Sequence, residues 1–430
     1  MEAPHRRLPR VPFRDLPREK WINLAVAGLL TYYAAQVILN ILWGNLFGDL
    51  GIDFGSFWSA GHLANQFGYS SVYNIELMGQ TQRQLLPERA LAISGLGVIP
   101  TPYLPVFLLP FQLLALLPPA PAAALWMALN LAGSILYLRR FSRRLAGRPL
   151  EFRLLLLVMA SAPIFLNIFT GQVNLWLMIC VGEFLLARRS GKPFQAGLWL
   201  AGLLLKPQTL VLIVPAVLWQ RWKKTTLGML AGAAAVIAGS WVLAGSEALR
   251  QLANLWLGYA GGLPTNDPQL MMNWRMIGFH LAGLAGPTWA NFVVIAGMLA
   301  TAGAALALWS RPLGTDSTKL TVASLGLFAA TCTVAWHAHA HMAMLLIPPL
   351  LALVLQPRPV AQRAFLWWIL LPAALYVIRT ILASIMRLGA MGEAAYSLLD
   401  ILAGIGLLAM NLILLGWTLR QSRPWEAVRA

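Results

Sequence analysis

Residues 21–43 read WINLAVAGLLTYYAAQVILNILW, and this stretch decides the class of fold. It contains no charged side chain, and a helix needs about 20 such residues to cross the hydrocarbon core of a bilayer. Comparable apolar runs recur near 154–169, 226–244, 290–309, 365–379 and 398–417. Because basic residues directly precede the first run and no small-residue cleavage site follows it, we interpret it as a retained helix. The sequence therefore predicts an all-α, polytopic integral membrane protein.

The composition supports this class and excludes others. Of the 430 residues, 59% are hydrophobic and only 11% are charged, whereas soluble domains contain about 25% charged residues. Both cysteines, Cys180 and Cys332, fall inside apolar runs, so no disulfide framework is expected. The net charge of +17 comes from short basic segments between apolar runs, which is typical of topology signals rather than of a phosphate-binding groove. We therefore expect a lipid bilayer and no nucleic acid as the partner.

The spacing of the basic segments predicts the topology. If all of them are cytoplasmic, the chain crosses the membrane an even number of times between neighbours, which gives about twelve spans and two cytoplasmic termini. The segments are 6–20, 139–153, 188–192, 221–224, 311–319, 358–363 and 420–429.

One interval contains an odd number of apolar stretches, near 21–47, 98–117 and 121–138. The middle stretch contains Pro100, Pro102, Pro105 and Pro110. Because proline removes a backbone donor and breaks helices, we assign 98–117 to an interfacial or re-entrant segment. The alternative is a proline-kinked span.

This topology divides the chain into a cytoplasmic tail at 1–20, one transmembrane domain at 21–420 and a second tail at 421–430. The long loops 48–120 and 245–288 then lie on the outer face, together with the polar residues that could carry chemistry. Gly-rich phosphate loops, Walker patterns and nucleophile elbows are absent from the sequence, which argues against nucleotide-driven work.

Asp53 lies just beyond the first span, within the segment GIDFGSFWSAG at 51–61. A carboxylate among apolar and aromatic neighbours has a raised pKa, which suits a general base. Aspartate is also a favoured helix N-cap, and the residues after it have a helical pattern. The sequence leaves both roles open.

Three further candidates lie at predicted outer turns. Lys206 could bind a lipid phosphate or extend to the headgroups. Gln172 and Asn174 could hydrogen-bond a sugar or a phosphate, or cap helix ends.

The later part of the chain adds four basic candidates. His337, His339 and His341 alternate with alanine, so they share one face only if the backbone is extended. They could bind a phosphate or orient a base; a fourth ligand for zinc is not evident, so we predict neither a metal nor another cofactor. Arg275 could bind phosphate through its guanidinium group or anchor the chain beside Trp274.

These residues fall within a recognisable pattern. The segment DFGSFWSAG at 53–61 and the segment GYSSVYN at 68–74 resemble the first outer loop of the GT-C membrane glycosyltransferases. More narrowly, the chain resembles glycosyltransferase family 87, the polyprenyl-phosphate-mannose-dependent α-1,2-mannosyltransferases. The later matching segments are TPYLP at 101–105, LW at 125–126, GQVN at 171–174, AG at 196–197 and LKP at 205–207. One departure is Leu104 after Tyr103, where relatives often have proline.

The resemblance implies a GT-C-like fold with interfacial helices in the first outer loop. It also implies a function in building cell-envelope glycans, without an obligate protein partner. Asp53 would deprotonate the acceptor, a glycan or glycolipid, at the outer face of the inner membrane. A polyprenyl-phosphate sugar, with mannose as the expected hexose, would be the donor. Basic or histidine residues would hold its phosphate, a role that suits Lys206, Arg275 and the three histidines. Gln172, Asn174 and Tyr103 are further candidates for binding the substrate.

Two other functions fit the sequence. A transporter or flippase of a lipid-linked sugar also has about twelve spans, but its polar groups concentrate near the bilayer midplane. An outer-face oligosaccharide ligase or polymerase would use similar cations and histidines without a first-loop aspartate.

Overall fold

The protein is an assembly of helices, as its computed structural model shows. The structure describes residues 19–92, 96–260, 268–311, 313, 316–355, 359–388 and 393–423. Short 3₁₀ helices cover Gly202–Leu205, Pro207–Leu210, Pro268–Leu270 and Ala340–Leu346. The α-helices are α1 (Glu19–Leu42), α2 (Ile52–Phe67), α3 (Tyr69–Val72), α4 (Ile75–Arg83), α5 (Glu88–Ala92), α6 (Pro105–Leu114), α7 (Pro119–Ala146), α8 (Phe152–Met159), α9 (Ala162–Thr170), α10 (Asn174–Arg189), α11 (Pro193–Ala201), α12 (Ile213–Trp219), α13 (Lys223–Ala260), α14 (Trp274–Ala285), α15 (Pro287–Trp309), α16 (Ser317–Val334), α17 (Ile347–Val354), α18 (Pro359–Leu388) and α19 (Glu393–Ser422).

Seven of the described helices are long and apolar enough to cross a membrane, namely α1, α7, α13, α15, α16, α18 and α19. The pair α8 and α9 makes an eighth candidate, although it bends by 61° at its break. The remaining predicted spans fall on α10 and on shorter or broken apolar segments such as Pro193–Leu205 and Ala340–Val354. The polytopic membrane class is therefore confirmed, whereas the count of twelve and the GT-C fold stay predictions.

The proline-rich stretch forms one short helix. Helix α6 has 10 residues, begins at Pro105 and contains Pro110. At 1.5 Å per residue it is about 15 Å long, roughly half of the hydrocarbon thickness. It packs so closely on α2 that a Cβ added at Gly61 would lie 2.2 Å from the carbonyl oxygen of Phe111. Its length is compatible with the interfacial assignment.

Helices α11 and α13 cross at glycines. A Cβ at Gly197 would lie 2.0 Å from the carbonyl oxygen of Thr225, and one at Gly228 would lie 2.0 Å from that of Phe194. Small residues let membrane helices approach backbone to backbone, where van der Waals packing replaces the hydrophobic effect. This crossing fixes the break after α11, where Lys206 lies.

Contacts join several of the basic segments. Arg153 pairs with Glu19, the guanidinium of Arg188 lies 3.7 Å from the ring centroid of Trp222, and Arg311 donates to Ser422. Segments that lie at the same end of a helix assembly are expected to contact one another in this way. The predicted tails lie largely outside the described residues, as do 261–267 of the second long loop.

Candidate active site

Asp53 lies in the first turn of α2 and does not cap it. The residue before the helix is Gly51, in the left-handed region at φ +75° without a side-chain cap, and its N–H donates to the carbonyl of Phe169 over 2.8 Å. The turn after α9 packs on the same place: Gly171 has φ +78°, and its Cβ would lie 2.5 Å from that of Phe54. Both glycines satisfy a backbone conformation that other residues resist. The 171–174 turn therefore fixes the position of Asp53.

The environment of Asp53 contains opposing influences on its charge. Its side chain lies outside the candidate spans and is half-buried, and burial raises the pKa of its carboxyl group. The side chain of Thr170, the positive charge of Lys206 and the side chain of Gln172 favour the ionised form and limit that rise. A carboxylate with a raised pKa and nearby donors has the properties of a general base.

Lys206 is buried beside this carboxylate. It lies between two 3₁₀ helices, only 5% exposed, and its Nζ donates to Oε1 of Gln172 over 3.1 Å. Burial lowers the pKa of Lys206 to about 8, against the attraction of Asp53. The snorkelling alternative requires an ammonium group that reaches water or headgroups. The structure instead places this group inside the site.

His337 and His339 lie between α16 and the 3₁₀ helix at Ala340–Leu346, and His341 is the second residue of that helix. His339 forms a β-bridge with Met271, and the rings of His337 and His339 are 4.7 Å apart, while those of His339 and His341 are 5.7 Å apart. Over the described residues 337–341, neither a continuous helix nor a continuous extended chain is present: His339 is extended and His341 is in the 3₁₀ helix, yet all three side chains line one cavity. Burial, neighbouring histidines and Lys206 hold the pKa values of His337 and His341 well below their usual range, so both rings are neutral at neutral pH.

Two cavities meet at Asp53. The first, here called the histidine cavity, has about 1150 Å³ of empty space, including open solvent, and contains all three histidines. Its other walls come mainly from α18 and α19, with the apolar residues Pro372, Leu375, Ala403, Gly404 and Leu407.

The second, here called the aromatic cavity, has about 1250 Å³ on the same measure. Asp53, Ile99, Gln172 and His337 line both cavities and so form the boundary between them. Lys206 faces the aromatic cavity. Its aromatic residues are Phe57, Tyr103, Trp256, Tyr259 and Trp336.

The remaining predicted site residues have different placements. Tyr103 packs on Phe57 with ring centroids 5.3 Å apart. Arg275 lines neither cavity but stacks its guanidinium 4.0 Å from the ring centroid of Trp336. Asn174 is fully buried behind the histidine cavity and bonds His341. Within the described residues, no group of three His, Cys, Asp or Glu could hold a metal ion.

The structure adds Arg379, which was not predicted from the sequence, to the candidate site. It lines the histidine cavity and pairs with Asp400, its Nε and Nη2 each 2.7 Å from Oδ1. A charged pair within apolar helices is itself a signal of function, because ionised groups are costly in a membrane. That signal was present in the sequence, in the apolar run that ends at Arg379.

Comparison with known proteins assigns the family. Neither the curated proteins nor the solved structures contain a match to this chain. The family model of glycosyltransferase family 87 matches residues 101–335, which is more than half of the chain and includes Lys206, Gln172 and Arg275. A glycosyltransferase is an enzyme, which decides against the transporter alternative. The chain is therefore a membrane glycosyltransferase that belongs to family 87.

Proposed function

We propose that this enzyme transfers a hexose, specifically mannose, from a polyprenyl phosphate to an acceptor glycan or glycolipid on the outer face of the membrane. The observation that carries the proposal is the position of Asp53 at the boundary of two chemically different cavities. A transferase needs one space for its donor and one for its acceptor, with a base where the two meet.

The histidine cavity fits a lipid-linked donor. Apolar side chains of α18 and α19 provide a wall for a polyprenyl chain, and His337, His339, His341 and Arg379 provide N–H groups for its phosphate. Because burial keeps two of the histidines neutral, they bind the phosphate as hydrogen-bond donors.

The aromatic cavity fits the acceptor. Flat apolar rings such as those of Trp256 and Trp336 pack against the C–H faces of a sugar, while Lys206 and Gln172 reach its hydroxyl groups. Arg275 stiffens this wall through its stacking on Trp336.

The reaction then proceeds as a single displacement. The acceptor hydroxyl attacks C1 of the sugar and transfers its proton to Asp53, while the C1–O bond to the phosphate breaks. The electron pair of that bond stays on the phosphate oxygen, and the polyprenyl phosphate leaves. Hydrogen-bond donors around the phosphate stabilise the charge that develops there.

The basic segments support the outer face. Lys and Arg concentrate on the cytoplasmic side of membrane proteins, and the predicted cytoplasmic segments contain neither Asp53 nor the histidines. A lipid-linked donor also requires no nucleotide site, in agreement with the absence of nucleotide motifs from the sequence.

The decisive experiment compares wild type with Asp53→Asn in nanodiscs, with radiolabelled mannosyl polyprenyl phosphate and a lipid-glycan extract as acceptor. We expect transfer to fall by roughly 10²- to 10⁴-fold, the usual contribution of a general base. Asp49→Asn, the same change at an exposed carboxylate that lines neither cavity, is the matched control for an altered charge and folding. Equal transfer by wild type and Asp53→Asn would remove the base assignment, and no transfer by wild type would remove the donor assignment.

A further inference from the structure

Buried asparagines connect the interior of the helix assembly to the histidine cavity. The Nδ2 group of Asn130 donates to the carbonyl of Trp126 over 3.1 Å, and Nδ2 of Asn167 donates to Oδ1 of Asn130 over 3.0 Å. Oδ1 of Asn167 then accepts from the backbone N–H of Asn174 over 2.8 Å. The side-chain Nδ2 of Asn174 lies 2.9 Å from Nδ1 of His341. All four polar side chains are at most 8% exposed.

The amide of Asn174 lies against Nδ1 of His341, so its orientation bears on which ring nitrogen carries the proton. Asn130 and Asn167 each donate through Nδ2 and accept through Oδ1, so the network fixes both amides and places Asn174 against His341. A neutral imidazole has one N–H and one acceptor nitrogen. If Nδ1 accepts from Asn174, the proton of His341 is on Nε2. His341 lines the histidine cavity, and its Nε2 forms no hydrogen bond with the described residues.

The charges around His341 favour its neutral form. Lys206, His337 and His339 act on the ring from the neighbouring segments, and Asp53 and Arg379 line the same cavity. Burial and the nearby positive groups oppose protonation. A neutral ring serves as a donor to an anion only when its N–H points at that anion, so the choice between Nδ1 and Nε2 matters.

We propose that Asn174 is a positioning residue, which holds the neutral ring of His341 with Nε2–H directed at the phosphate of the lipid donor. The identity of that phosphate rests on the proposed function, whereas the position of the proton does not. The sequence left two roles open for Asn174, direct contact with the substrate or capping of a helix end. The structure instead indicates that it acts through His341.

The position of the proton can be measured without substrate. Protein labelled with ¹⁵N-histidine in nanodiscs gives distinct chemical shifts for the two neutral forms of the ring, and His341→Gln assigns the signal by its loss. We expect the Nε2–H form for His341 in wild type at pH 7.5. The Nδ1–H form would overturn the proposal whether or not the enzyme uses a polyprenyl donor.

The consequence of this position is tested with Asn174→Asp and farnesyl phosphate, a short polyprenyl monophosphate. A carboxylate can only accept, so neutral His341 would place its proton on Nδ1 and turn the acceptor Nε2 toward the phosphate. At acidic pH the carboxylate stabilises the imidazolium, which restores Nε2–H. We therefore expect the affinity of the variant, divided by that of wild type, to fall about tenfold between pH 6 and 7.5. Asn174→Asp/His341→Gln should lose this pH dependence.

Asn130→Asp is the matched control, because it introduces the same change into the same network without contact to the ring. If Asn174 had only a structural role, both asparagine variants should bind farnesyl phosphate more weakly than wild type by the same factor at every pH. That result would overturn the proposal. A constant ratio in Asn174→Asp would do the same. Failure of wild type to bind farnesyl phosphate would instead contradict the donor in the proposed function, and the NMR result would still decide the position of the proton.

Discussion

Asp53 shows what can be inferred at the scale of one residue. Its neighbours in the sequence allowed two roles, a base or an N-cap. The structure places Gly51 at the cap position and Asp53 two residues later in the first turn of α2, at the edge of two cavities. Local sequence could not separate the roles, because the difference depends on the turn at 171–174, which is remote in the chain.

The pH profile of transfer follows from the charges of Asp53 and Lys206. Activity should rise as Asp53 loses its proton, above the usual range for aspartate, and fall as Lys206 loses its proton near pH 8. The charge of Lys206 lowers the pKa of Asp53, so Lys206→Met should move the rising limb to higher pH and remove the falling limb due to Lys206. The measurement is kcat/KM against pH.

Lys206→Arg is the control for this profile. It keeps the positive charge but does not deprotonate in the accessible range, so the rising limb should stay near that of wild type. A rising limb that is the same in Lys206→Met and wild type would show that Lys206 does not influence the base.

Substitutions in the two cavities should raise KM for different substrates. Trp256→Ala removes one ring of the aromatic cavity and should raise KM for the acceptor roughly tenfold, with little change for the donor. Leu407→Trp fills the histidine cavity and should raise KM for the donor instead. The measurement is steady-state transfer with each substrate varied in turn. A reversed pattern would exchange the roles of the cavities.

At the scale of elements, glycines and prolines shape the parts that hold the site. The sequence predicted that 98–117 would not form an ordinary span, and the structure contains a ten-residue helix there. The histidine stretch remained undecided in sequence, because three alternating histidines fit either a helix or an extended chain. In the structure His339 is extended and forms a bridge with Met271, whereas His341 lies in the 3₁₀ helix that follows.

The crossing of α11 and α13 is testable through its glycines. Gly228→Ala would place a methyl group 2.0 Å from the carbonyl oxygen of Phe194, so we expect a loss of about 1–3 kcal/mol in stability. Gly239→Ala is the matched control on the same helix, since nothing lies within 4 Å of its added Cβ. Thermal unfolding in detergent gives both values. An equal effect of the two substitutions would contradict the close crossing.

At the scale of the whole molecule, the orientation in the membrane is the main prediction. Both native cysteines are buried, so single surface cysteines can be labelled on a silent background. Gln66→Cys at the end of α2 should react with a membrane-impermeant maleimide in intact cells, whereas Ser190→Cys after α10 should react only after permeabilisation. Both positions are exposed. The reverse pattern would place the site on the cytoplasmic side.

The sequence by itself determined the membrane class, the approximate positions of the apolar segments and the resemblance to family 87. These properties depend on composition and on local order, which the chain carries before it folds. Only the tertiary structure decided that Asp53 lies between two cavities, that Lys206 bonds Gln172, that Asn174 bonds His341, and that Arg379 faces the histidines. Each of these relations joins residues remote in sequence, and their distances are set by the packing of helices against one another.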